Sequence, residues 1–284
     1  MDSRSLERLC QLANVVAPGD LTMLPEHWSI SKASSRGGRR HIELYGSPGT
    51  PAGRSLGGRN AQAKFRADRE YFRSLGVAVR KTVKNPRLSA DLAEFIGIVL
   101  GDGSITSRQV TITFNALDAA YAEYVQQLIW NLFEIQTHSS LDQADHAISL
   151  VASGVQLVEI LEKLGLKRGN KVTQQVDLPA WVWRERDFQI ACLRGLIDTD
   201  GCVFRHAYRV NGKNYTYTKL AFTNYSRPLL VSTKRLFETL GLFPTIHKDG
   251  RRLYLHNTDA VHTYFQVVGT RNPRYRQRYS GEVA

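Results

Sequence analysis

Three observations predict an α+β chain of two pseudo-symmetric αββαββα repeats behind a basic N-terminal extension. The peptide FIGIVLGDG at residues 95–103 returns as LRGLIDTDG at residues 193–201, with Asp102 and Asp200 98 positions apart. After each copy the same order follows: two alternating segments, a helical period, two more alternating segments and a second helical period. The offset between the halves stays close, 108 at Phe114 and Phe222 and 105 at Leu150 and Leu255. Most of the added length falls in one hairpin, where Asn211-Gly212 is a strong tight-turn signal.

Taken in order, the extension (1–87) opens with an amphipathic helix on Leu6, Leu9, Cys10, Ala13 and Val16, ended by Pro18-Gly19. Residues 31–60, rich in Gly, Ser and Arg, read as a flexible basic linker. Gly53-Arg54-Ser55 sits where a phosphate loop ends, but Pro48 replaces the required glycine and the lysine is missing, so no nucleotide site is expected. A basic helix over 61–75 follows, and Ser89 is a fitting N-cap for the first motif helix. In the first repeat (88–175), strands are predicted at 104–108, 109–115, 135–141 and 146–152, and helices at 119–133 and 155–164. In the second (176–284), strands are predicted at 202–210, 215–223, 244–248 and 252–256, and helices at 229–240 and 260–268. Asp249-Gly250 supplies a further hairpin turn.

With 42% hydrophobic residues in 284, the chain can bury one or two sizeable cores. Its formal charge is +12, and the excess lies ahead of the motifs: residues 1–90 carry 16 Lys and Arg against 7 Asp and Glu. That balance suits a phosphate backbone, a ribosome or a membrane surface alike. No apolar run reaches membrane-span length, and the charged N-terminus lacks the centre of a signal peptide. The widely spaced Cys10, Cys192 and Cys202 indicate neither a zinc site nor a disulfide framework. A non-secreted protein of the cytoplasm or an organellar matrix is the expectation.

The motif itself suggests chemistry. Gly97 and Gly101 fall four apart on one helix face, as do Gly195 and Thr199, so two such helices can approach backbone to backbone. Packed in parallel, they bring Asp102 and Asp200 side by side, next to the carbonyls of Gly101 and Thr199 at helix C-termini. Carboxylates that close repel unless a hard divalent cation lies between them.

At residues 193–201 the chain resembles the LAGLIDADG homing endonucleases of the single-chain, two-repeat form, departing from the eponymous string only at Arg194 and Thr199. The first copy differs at Phe95, Ile96, Ile98, Val99, Leu100 and Gly101. The linker GNK…LPAWVW and the terminal NPRYRQRY extend the likeness across residues 88–279. The resemblance implies the LAGLIDADG fold and a monomeric, Mg²⁺- or Mn²⁺-dependent enzyme of intron homing that cuts double-stranded DNA. It makes Asp102 and Asp200 the metal-binding catalytic acids and Lys171 the active-site lysine, with Lys219 as the competing candidate and Arg274 or Arg276 in the corresponding place of the second half. RNA maturases and non-cleaving DNA binders on the same fold are the alternatives. His256-Asn257 matches the end of an intein, but 26 residues follow Thr258 and the chain starts at Met1, so a free-standing endonuclease is expected.

Strand alternation assigns a DNA-facing surface. Val110, Ile112, Phe114, Leu220 and Phe222 point toward the helices, which leaves Gln109, Thr111, Thr113, Tyr215, Tyr217 and Lys219 opposite. Arg108, Gln136, His138, Arg205, Arg209, His247, Arg252 and Tyr254 are expected to join them and meet base edges and phosphates in the major groove.

Overall fold

The computed structural model describes residues 3–17, 19, 21–22, 28–47, 49–77 and 79–280. It divides into two units that meet in sequence between Val79 and Arg80. Among the described residues, no helix is long and apolar enough to cross a membrane.

The first unit is helical: α1 (Ser3–Ala13), α2 (Trp28–Tyr45), α3 (Pro51–Ala67) and α4 (Arg69–Ser74). Helix α1 stops at Asn14, whose φ of 50° turns the chain before Pro18, itself outside the described residues. The expected linker over 31–60 is instead mostly helix. Gly37, Gly38, Gly57 and Gly58 each cost about 1 kcal/mol against alanine in a helix interior, which is why the stretch reads as a linker. Local capping offsets part of that cost in α3: Thr50 Oγ1 accepts from Gly53 N at 3.1 Å, Pro51 takes the first helical position, and Arg54 Nη1 folds back onto Gly49 O at 2.6 Å. The expected helix over 61–75 is two helices, because the Asp68 carboxylate accepts from Tyr71 N at 2.9 Å and starts α4 anew.

The second unit carries both repeats. The first runs α5 (Ala90–Gly101), β1 (Gly103–Ile105), β2 (Gln109–Asn115), α6 (Ala119–Phe133), β3 (His138–Asp142), β4 (Ala147–Ser153) and α7 (Val155–Lys163). The second runs α8 (Arg186–Asp200), β5 (Gly201–Val210), β6 (Lys213–Thr223), α9 (Arg227–Thr239), β7 (Thr245–Ile246), β8 (Arg252–Leu255) and α10 (Thr258–Val267), followed by α11 (Pro273–Ser280). Each repeat forms an antiparallel sheet, ordered β1-β2-β4-β3 and β5-β6-β8-β7. The predicted α+β repeat architecture is therefore present, and Ser89 caps α5 by accepting from Leu92 N at 3.2 Å.

The repeats differ in register. Ile112 pairs with Leu150 and Leu220 with Leu255, in line with the sequence offsets. Gly103, however, pairs with Ile112, whereas Gly201 pairs with Phe222, two residues farther along. A two-residue slip keeps the buried face buried. The β5–β6 ladder also runs on to Val210 opposite Lys213, well past the last pairing with β8 at Leu220.

Helices α5 and α8 form the seam. A Cβ on Gly97 would overlap the Cys192 carbonyl oxygen and lie 3.1 Å from Leu196 N, and one on Gly195 would overlap the Glu94 carbonyl oxygen and lie 2.9 Å from Ile98 N. A Cβ on Gly101 would fall 2.8 Å from Thr199 Cβ. Only backbones in direct contact leave so little room, and the order of these contacts makes the helices parallel. Within the seam, the fully buried Glu94 accepts from Arg194 Nε at 2.9 Å and from Tyr124 OH at 2.8 Å. A buried acid with both oxygens bonded ties α5, α6 and α8 in one arrangement.

Candidate catalytic centre

The parallel seam delivers Asp102 and Asp200 to the same end of the unit. Asp102 caps α5 and Asp200 is the last residue of α8. The Asp102 carboxylate is open to solvent, yet the surrounding protein, and then the charge of Asp200, push its pKa up to about 7. Lys171, and more weakly Arg274, oppose that rise, and Asp118 adds to it. Asp200 is also raised by burial, but Asn224 Nδ2 donates to its Oδ2 at 2.8 Å and holds the rise back. Two acids that resist joint ionisation are what a shared cation relieves.

Lys171 reaches this end from the linker after α7. Asn170 Oδ1 accepts from Val172 N and Thr173 N, at 2.9 and 3.0 Å, and fixes the turn. Lys171 Nζ then donates to the carbonyls that end α5: Leu100 at 3.0 Å, Val99 at 3.4 Å, and Gly101. Unpaired carbonyls at a helix C-terminus suit an ammonium group. Burial lowers the Lys171 pKa, while Asp200 and then Asp102 raise it. The Gly101 carbonyl, expected to be free for a cation, is therefore engaged by Lys171. Thr199 directs its hydroxyl back into α8, donating to Gly195 O at 2.8 Å, and packs against Gly101. Burial, and then the charge of Lys219, lower the pKa of His256, and Lys219 is not among the charges acting on Asp102 or Asp200.

A cleft of about 340 Å³ opens beside Asp102, lined by Asp118, Tyr121, Asp198, Thr199 and Arg274 among others. Sequence reasoning passed over Asp118, Asp198 and Asn224. Arg274 Nη2 pairs with Asp118 Oδ2 at 3.0 Å. Asp198 is buried and its pKa is raised to about 7 by desolvation, although Thr270 Oγ1 and Arg271 N both donate to it, the latter at 2.7 Å. These bonds moor the segment that leads into Arg274. Tyr275 OH also donates to Gly201 O, fastening α11 to β5. Asn224 carried one readable sign: its Oδ1 accepts from Ser226 N at 2.9 Å, the turn chemistry expected of an Asn before a helix.

The residues fit a hard cation in donor chemistry. The two carboxylates stand at the neighbouring C-terminal ends of α5 and α8, and no group of three His, Cys, Asp or Glu side chains among the described residues is placed to hold a metal ion, so protein ligation would rest on these two acids. Mg²⁺ tolerates such a site because it retains several waters and accepts phosphate oxygens.

The expected nucleic-acid residues divide by face. Gln109 pairs with Ser153, Thr111 with Val151, Thr113 with Ser149 and His138 also with Val151, so all four of the expected residues share the face away from buried Ile112 and Phe114. Arg108 sits in the β1–β2 turn, where it donates its N–H to Thr106 Oγ1 at 3.3 Å. Gln136 precedes β3 and lines a groove on α6 with Gln127 and Trp130, and so leaves the sheet face. On the second sheet, Tyr215, Tyr217, Lys219, Arg252 and Tyr254 share one face, because Ala221 pairs with Tyr254 and Thr223 with Arg252. His247 packs on Tyr254 with ring centroids 5.9 Å apart. Arg205 and Arg209 do not belong with them: Arg205 pairs with Thr218 and Arg209 with Asn214, on the face of buried Val203. In their place stand His206 and Tyr208, the latter stacked on Tyr215 and Tyr217 at 5.5 and 5.9 Å.

Residues 187–281 match the family model described as a LAGLIDADG-like domain. The replication factor C small subunit of Methanocaldococcus jannaschii is 25% identical over 183 residues, which are 63% of this chain and 9% of that protein. The chain thus spans about a tenth of that curated relative. Among solved structures, the I-LtrWI LAGLIDADG homing endonuclease bound to target DNA is similar at a TM-score of 0.47 and 13% identity, covering 66% of this chain and 88% of that one. I-DmoI in complex with DNA and Ca is similar at 0.45 and 18%, covering 68% and 97%.

Proposed function

Because residues 187–281 match a LAGLIDADG-like domain and α5 carries a second motif helix, we propose that the chain is a two-repeat LAGLIDADG protein and a monomeric, site-specific endonuclease that cuts double-stranded DNA with Mg²⁺ or Mn²⁺. The observation that carries this reading is the seam: glycine-to-backbone contact between α5 and α8 sets Asp102 and Asp200 side by side with raised pKa values. A protein that needed only to bind DNA would gain nothing from two neighbouring acids with raised pKa values facing a polyanion.

In this reading Asp102 and Asp200 would each hold a divalent cation, which would supply charge neutralisation at one scissile phosphate and a more acidic water. Asn224 favours the ionised form of Asp200 against the burial that raises its pKa, and Asp102, with its pKa pushed up to about 7, gives up its proton in the neutral range. Lys171 and Arg274 both supply positive charge to Asp102, one from the end of α5 and one from the neighbouring cleft. Lysine can also pass a proton, which arginine does not do at working pH. The free faces of the two sheets read the duplex, with Gln109, Thr111 and Thr113 in one half and Tyr215, Tyr217, Lys219, Arg252 and Tyr254 in the other. The N-terminal unit adds sequence-independent phosphate affinity. Intron homing, in which a chain cuts an allele lacking its own gene, is the biological setting this activity serves.

The test is incubation of the purified protein with plasmid carrying the sequences that flank its own gene, with Mg²⁺ and without. Linear product that requires the metal supports the reading. Tight binding with no strand cut in either condition would assign the chain to non-cleaving recognition instead.

A further inference from the structure

Asp118 ends a 3₁₀ turn, Ala116–Asp118, that runs into α6 and is capped by Asn115 Oδ1 accepting from Leu117 N at 2.9 Å, so the Asp118 carboxylate makes no cap bond of its own. Here Oδ2 instead takes Arg274 Nη2 at 3.0 Å, while Oδ1 and Arg274 Nε are buried with no partner. Arginine and carboxylate usually close a two-bond fork, so this pair is half made. Tyr121 OH is a third buried, unpartnered polar atom in the same cleft. Buried polar atoms without partners are uncommon, and three lining one cleft beside Asp102 mark a place built for a group that arrives later.

The chain invests heavily in bringing Arg274 here. Asp198 moors Thr270 and Arg271, Arg194 Nη1 donates to Val268 O at 3.1 Å, and Asn272 Oδ1 accepts from Arg274 N at 3.0 Å. The second repeat has no matching acid: in its N-cap position Ser226 donates to Val176 O. Resting on the nuclease reading above, we propose that Asp118 is a positioning residue that aims Arg274 at the phosphate held beside Asp102, so that the two strands are cut by unlike centres. Asp118 holds one arm of the guanidinium, and the remaining donor turns to a phosphate oxygen when the duplex is seated.

The test compares wild type, Asp118→Ala, Arg274→Met and the double variant on a duplex carrying the gene's own flanks. In metal-free buffer, the slope of log binding constant against log salt should fall by about one in each single variant, the loss of one phosphate contact, and by one rather than two in the double. In Mg²⁺, both single variants should slow the same strand at least tenfold and leave the other near wild type. Asp118→Asn keeps the side-chain volume and should show the same strand preference if the alanine variant unfolds early. Unchanged slopes, a steeper slope in Asp118→Ala, additive effects, or equal slowing of both strands would each overturn the assignment. If wild type cuts neither strand, the nuclease reading falls while the salt slopes still decide whether Asp118 aims Arg274.

Discussion

Asn224 Nδ2 donates to Asp200 Oδ2 at 2.8 Å, and this bond sets the two motif acids apart. Burial raises both, but Asn224 lowers Asp200, whereas Asp118 and Asp200 both push Asp102 upward. Asn224→Ala removes a charge-assisted bond worth about 1.5 kcal/mol, so cleavage of one strand should fall about tenfold at the acidic end of the rate profile. Strand-resolved rates across pH check this. Equal effects on both strands would deny Asn224 its selectivity.

Gly195 meets backbone on its open side, with Ile98 N 2.9 Å from where a Cβ would stand. Backbone cannot rotate away as a long side chain can. Gly195→Ala should therefore cost about 1–3 kcal/mol in urea unfolding and reduce cleavage by separating the acids. An alanine variant as stable and as active as wild type would mean that the seam is looser than these contacts require.

Stability should fall with pH in a window to which Asp102 contributes alongside Asp198. The folded pKa of Asp102 stands at about 7 against an ordinary 3.8, so between those values the native state binds more protons than the unfolded state. Under linkage, that stabilisation is complete below about pH 4 and is lost as pH rises through about 7. Metal-free Asp102→Asn should lose less stability than wild type between pH 5 and 8. Denaturant midpoints across that range decide it, and parallel curves would count against a raised Asp102.

Much of this arrangement was legible in the sequence because its causes are local. Apolar alternation located β2 and β4, Asn211-Gly212 located the long hairpin, and small residues at helical spacing located the seam. Features that depend on pairing across the fold were not legible. Arg205 and Arg209 were assigned to the wrong face because alternation was not counted through from Val203, which faces the core. Asp118 reads as an ordinary helix cap until Arg274 arrives from the far end of the chain. Helix α2 and the first part of α3 were read as a linker because their glycines argue for one, and the capping at Thr50 is the local feature that speaks against it.

The central claim is that Asp102 and Asp200, at the neighbouring ends of α5 and α8, each serve one strand. Its most direct test is single-turnover cleavage of supercoiled plasmid bearing the gene's own flanks, in Mg²⁺, by Asp102→Asn and Asp200→Asn. Each variant should bind the duplex as wild type does and yield no linear product. Full linearisation by either variant would contradict the account.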